Sequence, residues 1–478
     1  MSLTSASFFQ FLAVTIIAFH INTSVMYRRF VLGTANAAFI ASYVSNVTEV
    51  LPLLAFLALG YLCVFLVYLR RSGAVLALGI AAVLVAYIFL KRFSFFEPLG
   101  RLPFPYLLVG LSYVLFRILH IMIDVRSGDL AERIGPLAFF RYTCNFLCFV
   151  SGPIQRYQEF SEMDGKEAHP LDSGTVFAAF SRIVTGYGKF VIVAATAEYA
   201  FSFLNQHLLA ATDPGLVKLC LEYAAVASLY TVYLYFNFSG YMDIVIGVGA
   251  LLGQSLPENF DKPFLARSFL EFWQRWHMTL SQWFKFYLFN PLLMFLMSLF
   301  PAPALTAYLG VVAFFITFLV MGVWHGTTAV FVIYGLLMGA GASINKIWQI
   351  VCADRLGKKR YRALTENTAY IYAARGVTIA YFVLALTCLW TPELPQLISL
   401  TGRLGSSGLS AAFVTVAIIF ALASLALDTV KVWVGRVSFA AVRDGIVTGN
   451  LVLAGKMMAV IAVATLFHKA PDFVYKAF

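Results

Sequence analysis

The amino-acid sequence predicts an all-α, polytopic integral membrane protein. Of its 478 residues, 61% are hydrophobic and 12% are charged, whereas about 25% are charged in an ordinary soluble domain. The mean hydropathy is +0.83, and several runs without Asp, Glu, Lys or Arg are long enough to cross a bilayer. Backbone groups in lipid must find partners within their own segment, and no barrel-like alternation is sustained, so the crossings are expected to be helices.

The first run, residues 1–27, carries no charge and ends at the pair Arg28 and Arg29. A cleaved signal peptide has its basic residues before the apolar stretch, so the order seen here predicts a retained first span. Basic residues collect at the cytoplasmic ends of spans. The arginine pair is therefore expected in the cytoplasm, with the N-terminus outside.

The remaining spans are predicted from further apolar runs. The clearest runs are 50–69, 72–90, 223–242 and 404–427. Less clean candidates are 31–48, 103–123, 175–205, 376–392 and 445–467. The longest uncharged run, 286–345, holds two or three crossings, since each needs about 20 residues. The sequence thus predicts about eleven transmembrane helices, plus re-entrant and interfacial helices, in a single domain over residues 1–478.

Three polar islands interrupt this pattern, at 124–141, 155–174 and 254–285. The first two are predicted to be surface loops. The segment from Asp354 to Arg362 is the densest basic patch and marks the cytoplasmic side. The formal charge of +11 is assigned to loops beside anionic headgroups, so no nucleic-acid partner is predicted. The cysteines show neither a disulfide framework nor a zinc spacing, and no metal site is expected.

His325 lies inside the longest uncharged run, within Gly322-Val-Trp-His-Gly326. A lone histidine on an apolar face is most often a satisfied core residue, and that interpretation stays open. The flanking glycines cost helix stability unless something approaches closely. An imidazole also titrates near neutral pH, which suits removal of a proton from a hydroxyl.

A second polar cluster occupies residues 271–287, where three of the seven tryptophans fall. Helical spacing predicts one continuous interfacial helix with a shared face, formed by Trp273, His277, Leu280 and Phe284. Its simplest interpretation is an aromatic belt whose cations reach the headgroups. A belt does not need a histidine, which makes His277 the second candidate for a functional role.

Three further places put polar groups or a helix break into apolar surroundings. Asp243 closes an uncharged run and either marks the membrane surface or pairs with a hydroxyl one turn back, a cation or a histidine. Arg117, His120 and Asp124 share a helix face, as a surface salt-bridge row would. Gly152-Pro153 must break a helix at membrane depth, which is tolerated inside protein or along a cavity.

Four motifs, in this order, resemble those of the membrane-bound O-acyltransferase family. They are Tyr235-Phe-Asn-Phe-Ser-Gly-Tyr-Met-Asp243, Pro257-Glu-Asn-Phe260, Phe272-Trp-Gln-Arg-Trp-His-Met-Thr-Leu-Ser281 and Gly322-Val-Trp-His-Gly326. Weaker similarity runs back through Ser151-Gly-Pro153 and Val109-Gly-Leu-Ser112. The resemblance covers the region 105–345 and is to the bacterial branch that acylates cell-envelope polymers, such as alginate O-acetyltransferase and the teichoic-acid D-alanyl transferase.

The resemblance implies the residues of the site. The family's invariant catalytic histidine falls on His325, and its second, nearly invariant histidine falls on His277. A ring of tilted helices would surround a thin core where a cytoplasmic thioester meets an external hydroxyl, with His325 as general base. His277 or Asn237 would support the oxyanion or orient His325. The residues expected to support the site are Asn237, Asp243, Arg275, Trp276 and Trp324.

The resemblance also implies substrates, partners and location. No bound cofactor is expected, because the acyl group, acetyl or D-alanyl, would arrive on acetyl-CoA or an acyl-carrier protein. Carriers are usually acidic, so the basic segment Asp354 to Arg362 is a candidate docking surface. A separate extracytoplasmic acyltransferase or polymer-modifying partner and a multi-pass position in the bacterial inner membrane are expected. A transporter or flippase for a lipid-linked sugar, and an inactive scaffold, are the alternative interpretations.

Overall fold

A computed structural model describes residues 5–94, 102, 104–166, 171–210, 215–436 and 446–466. Helices account for 83% of the structure. Within the described ranges the backbone forms no strand, and its one isolated β-bridge joins Phe260 to Trp276. The predicted all-α fold is confirmed.

The helices follow one another along the chain. Before residue 260 they are α1 (Ala6–Ile21), α2 (Val25–Ala41), α3 (Leu51–Arg70), α4 (Gly73–Lys91), α5 (Leu111–Ser127), α6 (Pro136–Thr143), α7 (Phe146–Phe149), α8 (Tyr157–Asp164), α9 (Ser173–Tyr187), α10 (Ala195–Ala210) and α11 (Leu216–Leu251). After it they are α12 (Phe269–Arg275), α13 (Met278–Phe284), α14 (Asn290–Leu299), α15 (Thr306–His325), α16 (Ala329–Leu356), α17 (Lys358–Glu366), α18 (Thr368–Ala385), α19 (Thr387–Trp390), α20 (Leu394–Arg436) and α21 (Ile446–Leu466). Helix α20 is kinked at Gly405, where φ is 61°.

Eight helical stretches of the described chain are long and apolar enough to cross a membrane. They are Val47–Arg70, Gly73–Lys91, Ser173–Ala210, Leu216–Leu251, Pro303–His325, Ala329–Leu356, Thr368–Trp390 and Leu394–Lys431. Two shorter apolar helices are Ser7–Ile21 and Val452–Ala462. Three of the four clearest predicted runs lie inside one of these stretches, and the fourth, 72–90, begins one residue before its stretch. The run 286–345 contributes to two stretches, Pro303–His325 and Ala329–Leu356. The predicted total of about eleven crossings stays a prediction, and residues 445 and 467 of its last candidate lie outside the described residues.

The chain forms two compact units. The first unit comprises Met1–Tyr187 and Gly240–Glu258, together with Asp472–Phe478, which lies outside the described residues. The second unit comprises Gly188–Ser239 and Asn259–Pro471. The prediction of one domain, with its core at 105–345, stays a prediction.

In the first unit, the polar side chains of α5 are buried, so the interpretation as a surface salt-bridge row is wrong. Arg117 is 1% exposed. Its guanidinium donates to the carbonyl oxygens of Tyr142, Thr143 and Cys148 at 3.0, 2.8 and 2.8 Å. A buried backbone carbonyl needs a hydrogen-bond donor, and the guanidinium of Arg117 donates to three such carbonyls.

His120 and Asp124, on the same face of α5, bind the chain that follows Gly152-Pro153. The N–H of Tyr157 donates to Nε2 of His120 at 3.2 Å. The Gln158 amide donates to the Asp124 carboxylate at 2.8 Å. Because helical spacing shows which residues share a face but not what covers it, the sequence could not place these groups inside.

The two predicted surface loops contain secondary structure. Helix α6 lies within the island 124–141 and α8 within the island 155–174. Asp124 and Phe160 are buried, so the prediction of surface loops is wrong for these parts. Residues 167–170 lie outside the described residues.

In the second unit, α15 and α16 pack through glycines. A Cβ built on Gly322 would lie 2.1 Å from Cα of Gly335. Gly335 and Gly339 are one turn apart on α16, the spacing at which small residues let helix backbones approach. A Cβ on Gly326 would lie 2.1 Å from the Phe331 ring. The close approach predicted around His325 is therefore made by the next helix of the same chain.

Candidate active site

The sequence predicts one continuous interfacial helix over 271–287, and this prediction is wrong. The segment contains the end of α12 and the whole of α13, with a break between them. Trp276 has an extended backbone, and His277 has φ of 45°, in the left-handed region. The N–H of Met278 donates to the carbonyl oxygen of Asn259 at 2.9 Å. This bond, made to a distant part of the chain, takes the place of a bond within a helix.

Asn259 also holds the imidazole of His277. Its Oδ1 lies 3.2 Å from His277 Nδ1 and accepts the N–H and the hydroxyl of Thr279 at 3.1 and 2.9 Å. Because a backbone N–H can only donate, this amide atom is the oxygen, and His277 Nδ1 carries the proton that it donates. The lone pair of the neutral ring is then on Nε2. The Phe238 ring packs edge-on against the His277 imidazole, with the two ring centroids 4.9 Å apart.

His325 is the last residue of α15. Its Nδ1 lies 2.7 Å from the carbonyl oxygen of Met321, one turn earlier. A carbonyl can only accept, so Nδ1 carries the proton and Nε2 the lone pair of the neutral ring. The rings of Trp324 and Tyr334 pack edge-on against it, with centroids 4.9 and 5.6 Å away.

Both imidazoles are buried, His277 with 1% and His325 with 4% of its surface exposed. Burial lowers the pKa of His277 well below its ordinary value, and the charge that His325 carries when protonated lowers it further. His277 is therefore neutral at physiological pH. Each imidazole is thus fixed through Nδ1, and the lone pair of its neutral form is on Nε2.

A cavity of about 490 Å³ in the same unit is lined by residues close in sequence to both histidines, although neither imidazole is among its lining residues. Met278, which follows His277 in the chain, and Met321, whose carbonyl holds His325, both line it. Its exposed lining residues include Gln274, Gln282 and Lys285, and its buried ones Trp273, Thr317 and Phe318. The indole Nε1 of Trp273 is buried without a hydrogen-bond partner. The cavity thus has a polar mouth, an apolar floor and an unused donor in its wall.

Two of the predicted supporting residues directly precede residues of the site in the chain. Asn237 is fully buried on α11 and precedes Phe238, the residue whose ring packs on His277. Trp324 precedes His325 and packs its ring on the imidazole. These contacts restrict the orientation of both rings.

Two others hold the turn between α12 and α13. Arg275 forms ion pairs with Glu271 at 3.0 Å and with Asp261 at 3.3 Å. Trp276 is 2% exposed, and its ring lies 5.2 Å from that of Phe260. Both side chains therefore contact the scaffold of the site.

Asp243 belongs to the first unit and pairs with a cation from another helix, one of the alternatives that the sequence left open. Nε of Arg182, on α9, lies 3.1 Å from its Oδ1. The same guanidinium binds both oxygens of Glu258 at 2.6 Å. Asp243 is thus part of an ion-pair network within that unit.

Sequence reasoning missed three residues of the site, namely Asn259, Trp273 as a cavity donor and Tyr334. Asn259 stands in the motif Pro257-Glu-Asn-Phe260 but lies 18 residues from His277, beyond any helical or strand period. Tyr334 faces His325 because α15 and α16 are packed through glycines. The Gly335 to Gly339 spacing was the available signal for that packing.

Within the described part of the chain, no group of three or more His, Cys, Asp or Glu side chains is arranged to hold a metal ion. All six cysteines are buried free thiols.

The fold and the site define a class, that of polytopic helical membrane proteins with a pair of buried histidines beside a cavity. Residues 124–353 match the model of the membrane-bound O-acyltransferase family. The matched region, which covers just under half of the 478 residues, is a domain of that family, as its motifs predicted.

Three relatives each match about half of the chain. The teichoic acid D-alanyltransferase of Streptococcus thermophilus is 35% identical over 246 residues, which are 50% of this chain and 57% of the relative. The probable alginate O-acetylase AlgI of Pseudomonas fluorescens is 30% identical over 238 residues, 50% of this chain and 44% of the relative. The D-alanyltransferase of Bacillus subtilis is 31% identical, over 48% of this chain and 56% of the relative. The matched region thus spans about half the length of these relatives.

Proposed function

We propose that this protein is a membrane O-acyltransferase. It moves an acyl group, acetyl or D-alanyl, from a cytoplasmic thioester towards hydroxyls of an extracytoplasmic cell-envelope polymer. The observation that carries the proposal is the hydrogen bond from His325 Nδ1 to the Met321 carbonyl, 2.7 Å long. In the neutral form of this buried ring, the bond puts the basic lone pair on Nε2. The family assignment and the names of the relatives support the same reaction class.

In the proposed mechanism, Nε2 of His325 accepts the proton of the acceptor hydroxyl as its oxygen attacks the thioester carbonyl. A C–O bond forms, the C–S bond breaks, and the imidazolium returns its proton to the departing thiolate. A positioned base of this kind supplies about 10²–10⁴ in rate. The bond to Met321 stabilises the imidazolium, because it orients a carbonyl dipole towards the charge.

Asn237 and His277 have different roles in the proposed mechanism. His277 donates its Nδ1 proton to Asn259, so its Nε2 offers a lone pair and not a proton to the reaction. Of the two groups expected at the oxyanion, Asn237 is therefore the one whose amide has N–H donors. His277 then serves to orient the acceptor hydroxyl beside His325.

The cavity of about 490 Å³ suits the thioester arm of the donor. Lys285 and Lys346 line it and carry charges that complement phosphate groups, while the buried Trp273 Nε1 can donate to an amide or thioester carbonyl. Helix α16, which carries Lys346, ends at Leu356 beside the basic segment Asp354 to Arg362. An acidic acyl-carrier protein docked there would have its arm near the cavity, and coenzyme A would use the cavity alone.

The proposal places the chain in the inner membrane of a bacterium, as a multi-pass protein. Acceptor hydroxyls belong to a polymer outside the cytoplasm. A separate extracytoplasmic acyltransferase or polymer-modifying protein would complete the transfer.

The test is acyl transfer by purified protein with radiolabelled acetyl-CoA or D-alanyl carrier protein. His325→Gln should lower the transfer rate by about 10²–10⁴ while leaving the thermal transition in detergent unchanged. A transporter would leave the label on the thioester. The matched control is His207→Gln, which removes an exposed histidine of α10 and should transfer at the wild-type rate. Wild-type transfer by a folded His325→Gln variant contradicts the mechanism.

A further inference from the structure

The first unit contains a cavity of about 330 Å³ near the junction of α1 and α2. Three basic side chains line it, Arg28, Arg29 and Lys166, together with two acidic ones, Asp164 and Asp172. None of these residues belongs to the histidine pair or to the cavity beside it. This cavity is the strongest unassigned feature of the described chain, because one of its cations is buried without an anion.

That cation is Arg28, which is 6% exposed. Its Nε donates to the carbonyl oxygen of Asn22 at 3.1 Å, and its guanidinium lies over the Phe19 ring at 4.7 Å. Its Nη1 is buried and has no hydrogen-bond partner. A buried charge is costly unless it is paired and hydrogen-bonded. The site is therefore incomplete without an anion.

The acids of the cavity do not supply that anion. The Asp164 carboxylate binds Arg141 at 2.7 Å and Arg29 at 3.0 Å. The Asp172 carboxylate accepts the N–H and the hydroxyl of Thr175 at 2.9 and 2.6 Å, at the start of α9. Each acid has donors of its own, and neither forms an ion pair with Arg28 in the described structure.

The chemistry of the walls identifies the missing group. A guanidinium matches the oxygens of phosphate or carboxylate, and Lys166 adds a compact exposed charge at the rim. Apolar side chains complete the wall, among them Leu32, Phe160 and Leu171. Arg28 also closes the first apolar run, at the end of the span predicted to meet the cytoplasmic headgroups. We propose that this cavity binds the phosphate group of an amphiphilic ligand through Arg28.

Two sources share this chemistry, the headgroup of a phospholipid and the phosphates of a free thioester donor such as coenzyme A. Native mass spectrometry of the full-length protein in detergent separates them with two probe pairs. Phosphatidylglycerol is compared with diacylglycerol of the same chains, and coenzyme A with pantetheine. The two members of each pair differ in the phosphate groups and in the glycerol or nucleoside attached to them.

The wild-type protein should prefer the phosphate-bearing member of at least one pair by about tenfold or more, the size of one charge-assisted hydrogen bond. Arg28→Gln should abolish that preference. The matched control Arg126→Gln removes an exposed arginine of α5 and should keep it. The pair that responds identifies the source, and a response in both supports a site for either.

Two results would overturn the proposal: no preference in either pair for the wild-type protein, or full preference in a folded Arg28→Gln variant. If Arg28→Gln cannot be purified folded, Lys166→Gln decides, because this exposed rim residue can be changed without disturbing the buried contacts. It should weaken the preferred probe about two- to fivefold, the modest effect of an exposed charge. Unchanged binding by that variant would equally refute the site.

Discussion

His120 in the first unit and His325 in the second are both buried histidines, but their hydrogen bonds are opposite. The N–H of Tyr157 donates to Nε2 of His120 at 3.2 Å, so the basic lone pair of that ring is taken by the backbone. Nδ1 of His325 donates to the Met321 carbonyl, so its lone pair is on the other nitrogen. Burial therefore does not distinguish a structural histidine from a candidate base. The bond that fixes the ring does.

The surroundings differ in the same way. The guanidinium of Arg117, one turn before His120, donates to three backbone carbonyls of its own unit. Met278 and Met321, close in sequence to His277 and His325, line a cavity. The indole Nε1 of Trp273, another lining residue, has no hydrogen-bond partner. We infer that the first region is a structural network and that the second is prepared for a substrate.

The largest expected effect tests the structural region. Arg117→Ala removes a buried side chain that donates to three carbonyls, of which those of Tyr142 and Cys148 keep a backbone donor. The lost bonds and the space left behind should lower the free energy of unfolding by about 3–5 kcal/mol. Thermal unfolding in detergent, followed by intrinsic fluorescence and size-exclusion chromatography, measures the loss. Arg126→Ala, an exposed position of the same helix, should change stability by less than about 0.5 kcal/mol. If the two variants unfold alike, the network is not structural and the comparison fails.

An intermediate effect is expected where α15 meets α16. Gly322→Ala places a methyl group 2.1 Å from Cα of Gly335, so the helices must separate, at a cost of about 1–3 kcal/mol. Acyl transfer should fall as well, because His325 ends the helix that moves. Gly310→Ala, on the same helix, meets nothing within 4 Å. It should leave activity unchanged and unfolding neutral or improved by up to about 1 kcal/mol. Equal behaviour of the two glycines would show that close packing does not position His325.

The sequence predicted the elements whose cause is local. An apolar run of spanning length is itself the reason for a membrane helix, so the runs 50–69 and 223–242 lie inside Val47–Arg70 and Leu216–Leu251, although the second helix extends well beyond its run at both ends. Trp273, His277, Leu280 and Phe284, assigned to one face of 271–287, are all buried, but so are Phe272, Trp276 and Thr279, so burial does not single out that face. The helix break at His277 was missed, because its partner Asn259 is 18 residues away.

The same limit applies to the buried charges. Spacing put Arg117 on the face of His120 but did not show that the chain around Tyr142 covers it. The glycines beside His325 predicted a close approach, and the structure adds that the approaching residue is Gly335 of the neighbouring helix. Patterns within one element predict that element, whereas the site depends on contacts between distant elements.

The smallest expected change in stability tests how His277 is held. Asn259→Ala removes the oxygen that accepts from His277 Nδ1 and from Thr279, and should cost about 1–2 kcal/mol. Transfer should fall by up to about 100-fold, because a ring no longer fixed through Nδ1 can rotate or move its proton to Nε2. Thr279→Val removes one donor and leaves the His277 bond, so it should cost no more than about 1 kcal/mol and retain most of the transfer rate. If both variants lose stability and activity in the same proportion, the region around His277 is a structural network like that around His120, and the contrast between the two regions disappears.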